Sequence, residues 1–342
     1  MLKETVKEEP QNSAVEQANN DNAGASQNTS PADGTVVKPD GFPNSTISLV
    51  VPAAAGAAND LATRAMNDVL DLGGSTVVEN IVGASQTIGT AEVAQRSADG
   101  QSLLTCANVG MILMPITSDL TYGTDDFRHI AMLTSPITMT ICVSASGDIK
   151  SAEDWKAFIT SGKPYTYSHA GGAGGLGHIA SHDFLSQIGS TAGQFVAYNG
   201  SAEVMTALLN GEIDWAILDE SDASTRAASG EVVPLYVIAE KAGDHTQSIL
   251  PNIPCLSEIG VKNMKYYVGL KWIAIRKDTP NEIVEWIKQQ LNKAIQSEEY
   301  QNWLETVGYG FVREYSEEEI TDLIKTSYEL SKGILENMGM AK

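Results

Sequence analysis

Two stretches of very small residues carry the chemistry open to this chain. Residues 53–58 read AAAGAA, and residues 169–177 read HAGGAGGLG. Each follows a strand-like run and precedes a helical pattern. Side chains this small leave backbone N–H groups uncovered, and a helix N-terminus adds a favourable dipole, so each stretch is a ready seat for an anion. In the first stretch Ala53, Ala54, Ala55, Gly56, Ala57 and Ala58 would supply the amides. Asn59 and Asp60 suit the first helical turn, where short polar side chains cap free N–H groups and a negative charge favours the dipole. In the second, the seat would run through Ser168, His169, Ala170, Gly171, Gly172, Ala173, Gly174 and Gly175 to His178 at the helix start. Small residues also serve as plain, tightly packed strand-to-helix connections.

Other chemistries fit less well. Gly172, Gly174 and Gly177 match G-x-G-x-x-G between a strand and a helix, the context of a dinucleotide fingerprint. The following strand, however, ends at Tyr198-Asn199, where a ribose-binding acid should stand. A nucleotide-dependent oxidoreductase using Gly172 to Gly177 is therefore the alternative, and no cofactor is the first expectation. His178 and His182 share a helical face, with Asp183 beside them. Without an H-E-x-x-H pattern or an evident third ligand, no metal is expected. Neither a G-x-S-x-G elbow nor a P-loop occurs, and no catalytic pair stands out among the many acids. Arg64, Arg96, Arg128, Arg226, Arg276 and Arg313 all lie outside the two small-residue stretches. An anion bound there would be held by amides and helix ends rather than by a guanidinium fork.

The surrounding elements must place these loops. Ile47, Leu49, Val50 and Val51 form a short aliphatic run that reads as a buried strand, ended by Pro52. Further strands are expected at Ser75 to Glu79, Ser102 to Cys106, Ile130 to Leu133, Thr138 to Val143, Tyr165 to Ser168, Phe195 to Tyr198, Ile213 to Leu218, Leu235 to Ala239 and Gly269 to Ile275. Helices alternate with them, which implies mainly parallel sheets covered on both faces. Ser151 with Asp154 opens one helix. Gly211 closes the helix of Ser201 to Leu209. Thr279, Pro280 and Glu282 open a helix with Ile283, Ile287, Leu291 and Ile295 on one face. Ser316 and Glu319 box another, with Ile320, Leu323, Ile324 and Ile334 inward. Strand, small-residue loop and helix thus occur twice, near Pro52 and near Gly171, as an architectural echo rather than a sequence repeat.

Composition sets the outer bounds. The 342 residues suggest two domains, and 42% hydrophobic residues with 30 glycines fit a soluble α/β protein. A formal charge of −21 makes nucleic acid and anionic membrane surfaces poor partners. Cys106, Cys142 and Cys255 show no C-x-x-C spacing and read as buried free thiols. No apolar run reaches the ~18 residues of a membrane span, and LKETVKEEP after Met1 lacks the apolar core of a signal peptide. Residues 1–42 are polar and aperiodic, as in a disordered tail or tether.

Five segments carry a family resemblance: VPAAAGAAND (51–60), QTIGTAEVAQRSADGQSLL (86–104), YNGSAEVMTALLNGEIDWAI (198–217), LPNIPCLSEIG (250–260) and DTPNEIVEWI (278–287). In this order, over about residues 44–340, they resemble the solute-binding proteins of tripartite tricarboxylate transporters, the Bordetella uptake gene type. The resemblance implies a two-lobed, periplasmic-binding-protein-like (type II) α/β fold with crossing strands between the lobes. Lobe one would comprise 43–143 with 266–342, and lobe two 144–265. It implies a non-enzymatic, extracytoplasmic and monomeric receptor, periplasmic or a cell-surface lipoprotein, that closes on a small organic carboxylate. The receptor would deliver that ligand to membrane permease subunits, and a signalling partner is a third possibility. Loops 52–60 and 168–178 would hold the ligand through main-chain N–H groups. Thr87, Asn108, Tyr198 and Asp219 would line the cleft. The sequence departs from the family pattern at Ala53, at Ala57 to Asn59, at His169 and at Trp272. His169 and Trp272 at the cleft would favour a bulkier or aromatic acid, or simply pack.

Overall fold

Strands that finish at a cleft and strands that begin there must run in opposite directions, and that rule organises this molecule. The computed structural model describes residues 36–198, 200–241, 250 and 252–342. Its strands are β1 (Ile47–Val51), β2 (Thr76–Asn80), β3 (Ser102–Ala107), β4 (Phe127–Met132), β5 (Met139–Ser144), β6 (Tyr165–His169), β7 (Gly193–Phe195), β8 (Trp215–Asp219), β9 (Val232–Ile238) and β10 (Lys271–Arg276). They form two five-stranded sheets with the orders β2-β1-β3-β10-β4 and β7-β6-β8-β5-β9. In the first, β1 pairs parallel with β2 and β3, and β10 pairs antiparallel with β3 and β4. The second repeats this pattern, with β6 in the place of β1 and β5 in the place of β10.

The physical reason for the reversed strand lies in the connections. The chain leaves β4 and enters the second sheet as β5; it returns from that sheet as β10. A strand arriving from the other lobe starts at the cleft, while its neighbours end there. The two crossings are bonded to each other: Ile137 N–H donates to Gly269 O at 2.8 Å, and Gly269 N–H to Ile137 O at 2.7 Å. The sheets are therefore mixed, with four strands running one way and one the other, within a two-lobed α/β fold. The pairing also moves a boundary. The reading that kept residues through 143 in lobe one is corrected, because β5 pairs with β8 and β9, so the first crossing is 133–138.

Helices cover both sheets: α1 (Ala58–Val69), α2 (Thr87–Gln95), α3 (Met114–Thr117), α4 (Ala152–Ile159), α5 (Leu176–Gln187), α6 (Ser201–Asn210), α7 (Glu220–Ala228), α8 (Asn281–Ile295), α9 (Glu298–Thr306) and α10 (Glu317–Asn337). The aliphatic run of β1 is almost wholly buried, as a strand covered on both faces should be. Val284, Ile287, Leu291 and Ile295 form the buried stripe of α8, and Ile320, Ile324 and Leu335 that of α10. Ser316 and Glu319 make the expected reciprocal cap, with bonds of 3.1 and 2.8 Å. Helix α8 starts one residue later than expected, at Asn281 with Pro280 as its cap residue. Helices α3, α7 and α9 are not among the expected elements.

The second lobe packs around aromatic rings. Tyr167 stacks on Trp215 at 4.4 Å, and Trp155 meets Trp215 edge-on at 5.5 Å. The three cysteines are buried. Of the segment read as a tail, residues 1–35 lie outside the described residues. The rest lies against lobe one, with Phe42 buried and Lys38 Nζ bonded to Gly73 O at 3.2 Å. Among the described residues no helix is long and apolar enough to cross a membrane.

Candidate functional site

The two small-residue loops leave equivalent strands. The first follows β1, the second follows β6, and each of these strands is second in its sheet. Ala54, Ala55, Gly56 and Ala58 are exposed, and Ala53 and Ala57 partly so. Ala57 caps α1 with extended backbone and no side-chain bond; Gly175 caps α5 in the same way. An α-helix leaves its first N–H groups without intrahelical partners, and neither cap residue supplies a side-chain acceptor for them.

Asp60 shapes the first loop from beneath. Its buried carboxylate accepts the Gly56 N–H at 2.8 Å, the Asn80 amide at 2.8 Å and Arg64 Nε at 3.0 Å. The Asn80 amide also donates to Ala53 O at 3.0 Å. Burial works to raise the Asp60 pKa, but the bonds from Arg64, Gly56 and Asn80 outweigh it and hold the carboxyl below its ordinary value. Arg64, on the helix beside the loop, spends its guanidinium on Asp60 and Asn80. Asn59 is buried alongside, and its carbonyl accepts the Thr63 hydroxyl at 2.7 Å.

Histidines do the same work in the second loop. His169 Nδ1 accepts the Gly171 N–H at 2.9 Å, and His178 Nδ1 accepts the Gly174 N–H at 3.0 Å. His178 also stacks on Phe195 at 3.8 Å. Burial, with His182 and His169 nearby, holds its pKa down to about 4. Burial likewise lowers His169, against the opposing charge of Asp219. Both rings are therefore neutral acceptors that brace loop amides, and His178 has no free Nδ1 for a metal. Gly172 and Gly174 adopt φ of +68° and +75°, which other residues rarely take. A Cβ at Gly177 would sit 2.3 Å from His169 Cγ, so the third glycine of the fingerprint makes room for that imidazole. Ser168 is fully buried, and its hydroxyl donates to Val196 O at 2.6 Å. Ala170, Ala173 and the exposed Gly171 complete the rim.

The remaining expected residues divide. Asp219 is exposed at the end of β8, and half-buried Tyr198 has its carbonyl beside Gly172. Thr87 begins α2, its hydroxyl donating to Ala84 O at 2.8 Å. Asn108 clamps the returning crossing: its amide nitrogen donates to Val268 O at 3.1 Å, and its oxygen accepts the Leu270 N–H at 2.6 Å. Trp272 is corrected. It is 0% exposed, and its indole N–H donates to His129 Nδ1 at 3.0 Å inside lobe one, so it presents no surface to a cleft.

Two features escaped the sequence reading. Ala84, Ser85 and Gln86 take φ of 43°, 52° and 76° in succession, a left-handed turn without glycine just before α2. Such backbone is held only where its surroundings over-determine it. Lys271 opens β10 at the cleft end, half-buried, with Nζ 4.8 Å from the centroid of the Tyr309 ring. Burial lowers its pKa to about 8, opposed by the charge of Asp219 across the gap. A lysine in a strand pattern carries no sequence signal for this placement. A groove of about 980 Å³ lies elsewhere, between the crossings and the start of α10 around Thr138, Val268 and Tyr315. None of the expected site residues lines it.

The described geometry has parallels among known proteins. A family model described as "Tripartite tricarboxylate transporter family receptor" matches residues 62–340. A UPF0065 protein of Agrobacterium vitis is 28% identical over 262 residues, 75% of this chain and 73% of its own. A solved TctC solute-binding protein from Polaromonas superposes with a TM-score of 0.75 at 22% identity, covering 86% of this chain and 99% of that one. The MatC protein of Rhodopseudomonas palustris, solved with bound malate, gives a TM-score of 0.65 at 19% identity, covering 86% of this chain and 100% of that one.

Proposed function

The chain belongs to the tripartite tricarboxylate transporter receptor family, and from that premise we propose that it captures a small organic carboxylate between its lobes. It then hands the ligand, chemically unchanged, to membrane permease subunits from outside the cytoplasmic membrane. The observation that supports this is the pairing of two loops. Each is braced from behind, by Asp60 or by neutral histidines, and each leads into a helix whose first residue has no side-chain cap. Residues 43–138 with 266–342 would move as one body and 139–265 as the other. Closure would bring both sets of amides onto one ligand. A malate-bound relative in fold is consistent with a carboxylate as that ligand.

The test is a calorimetric and thermal-shift screen of mono-, di- and tricarboxylic acids beside NAD(H) and NADP(H). At least one acid should bind and raise the melting temperature. Ala55→Asp should abolish that binding while leaving the melting temperature of the free protein unchanged, because Ala55 is exposed. Gly174 is a poorer probe. Its φ is +75°, and a Cβ there would stand 3.1 Å from the Met340 methyl, so any replacement is coupled to folding. Stabilisation by a dinucleotide and by none of the acids would overturn the receptor reading in favour of an oxidoreductase.

A further inference from the structure

Resting on the receptor reading above, we propose that Lys271 receives the second carboxylate of a two-headed acid whose first carboxylate sits on the amides of the β1–α1 loop. The position is defined by topology. Lys271 is the first residue of β10, beside Ala107 at the end of β3, and its carbonyl accepts the Leu133 N–H at 2.9 Å. Strand β10 is two places from β1 in the sheet. At about 4.8 Å per strand, Lys271 stands on the order of 10 Å from the loop that follows β1. A ligand touching both must be several carbons long with an acid group at each end.

The charge environment points the same way. The Lys271 ammonium lies over the Tyr309 ring at 4.8 Å, and among the described residues no carboxylate comes within ion-pair distance of it. A half-buried cation in contact with an aromatic face alone is under-compensated. The ionisable groups facing it are Tyr309, from the α9–α10 connection, and Asp219, from the cleft end of β8 in the other lobe. The negative charge of Asp219 acts on Lys271, on Tyr309 and on His169 alike. Beside Lys271 in the sheet, Ala107 and Leu133 carry no charge. Asp219 by itself would repel a second carboxylate, and the ammonium offsets that repulsion. Lys271 is thus a specificity-determining residue, separating diacids from monoacids.

Calorimetry on wild type, Lys271→Met and Lys271→Arg tests this, using succinate, malate and adipate beside the matched monoacids butyrate and hexanoate. Wild type should prefer the diacids. Lys271→Met should weaken diacid binding by about ten-fold or more, the value of one charge-assisted bond, with little change for monoacids; Lys271→Arg should retain most of it. The pH profile gives a readout that a merely structural role would not move. Protonated Lys271 is the binding form, so wild-type affinity for diacids should fall as pH rises above about 8. Lys271→Arg should hold its affinity there, since guanidinium stays charged. Equal diacid affinity in wild type and a folded Lys271→Met, equal losses for mono- and diacids, or a flat wild-type pH profile would each overturn the assignment and leave the receptor reading standing. Failure of wild type to bind any acid would overturn both.

Discussion

At the scale of single residues, the polar side chains that mark this site mostly hold its backbone. Asp60 keeps the first loop open by accepting the Gly56 N–H and the Asn80 amide. His169 and His178 do so in the second loop as neutral acceptors. A hydrogen bond to a charged group contributes roughly 1.5–3 kcal/mol, enough to fix a loop of alanines that has no packing of its own. The same logic makes the protein sensitive to acid. His129 is buried, accepts the Trp272 indole N–H on Nδ1, and is held by burial to about 4 from an ordinary 6.5. Between those values the unfolded chain binds a proton that the folded one does not. Stability is therefore fully present above about pH 6.5 and falls as pH drops toward 4, by on the order of 3 kcal/mol from His129 alone. Denaturant midpoints measured across that range should show the decline, and His129→Asn should flatten part of it.

At the scale of elements, close approach decides which glycines matter. Helix α5 can lie against β6 only because Gly177 has no Cβ: one placed there would meet His169 Cγ at 2.3 Å. Gly333, in the interior of α10, has open space around it and ordinary helical backbone. Opposite outcomes are expected from the same substitution. Gly177→Ala should destabilise by about 1–3 kcal/mol through overpacking, and should weaken ligand binding by displacing the His169 brace. Gly333→Ala should stabilise by up to about 1 kcal/mol, the helix-propensity difference, with binding unchanged. Chemical denaturation with calorimetry reads both. The crossings form a second element-level device. They are bonded to each other at Ile137 and Gly269, and Asn108 ties the returning crossing to the end of β3. The lobes are thus joined through a short ladder rather than through slack linkers.

At the scale of the whole molecule, net charge and local site pull in opposite directions. A chain of formal charge −21 repels an approaching anion at long range. In the proposed site, amides, helix ends and Lys271 would attract it at a range where solvent screening is weak. Salt screens the first effect over about 8 Å at physiological strength and leaves the second largely intact. The association rate of a dicarboxylate should therefore rise with added sodium chloride, the reverse of a steered encounter, while the dissociation rate stays nearly constant. Stopped-flow measurements using the intrinsic tryptophan signal over a salt series would check this, and a falling association rate would show that the local field extends beyond the cleft.

The sequence by itself determined the alternation of strand and helix, the two small-residue loops, the caps at Ser151, Gly211 and Ser316, and the apolar stripes of α8 and α10. These depend on residues near one another along the chain, where backbone propensity, capping and periodicity act. Tertiary structure alone decided the rest. It reversed β5 and β10, because direction depends on the lobe from which a strand arrives. It drew Trp272 into the core by giving its indole N–H a partner 143 positions away, at His129. It also brought Lys271 and Asp219 to facing strand ends, although 52 positions of chain separate them. Proximity of that kind is set by sheet order, and no local pattern encodes it.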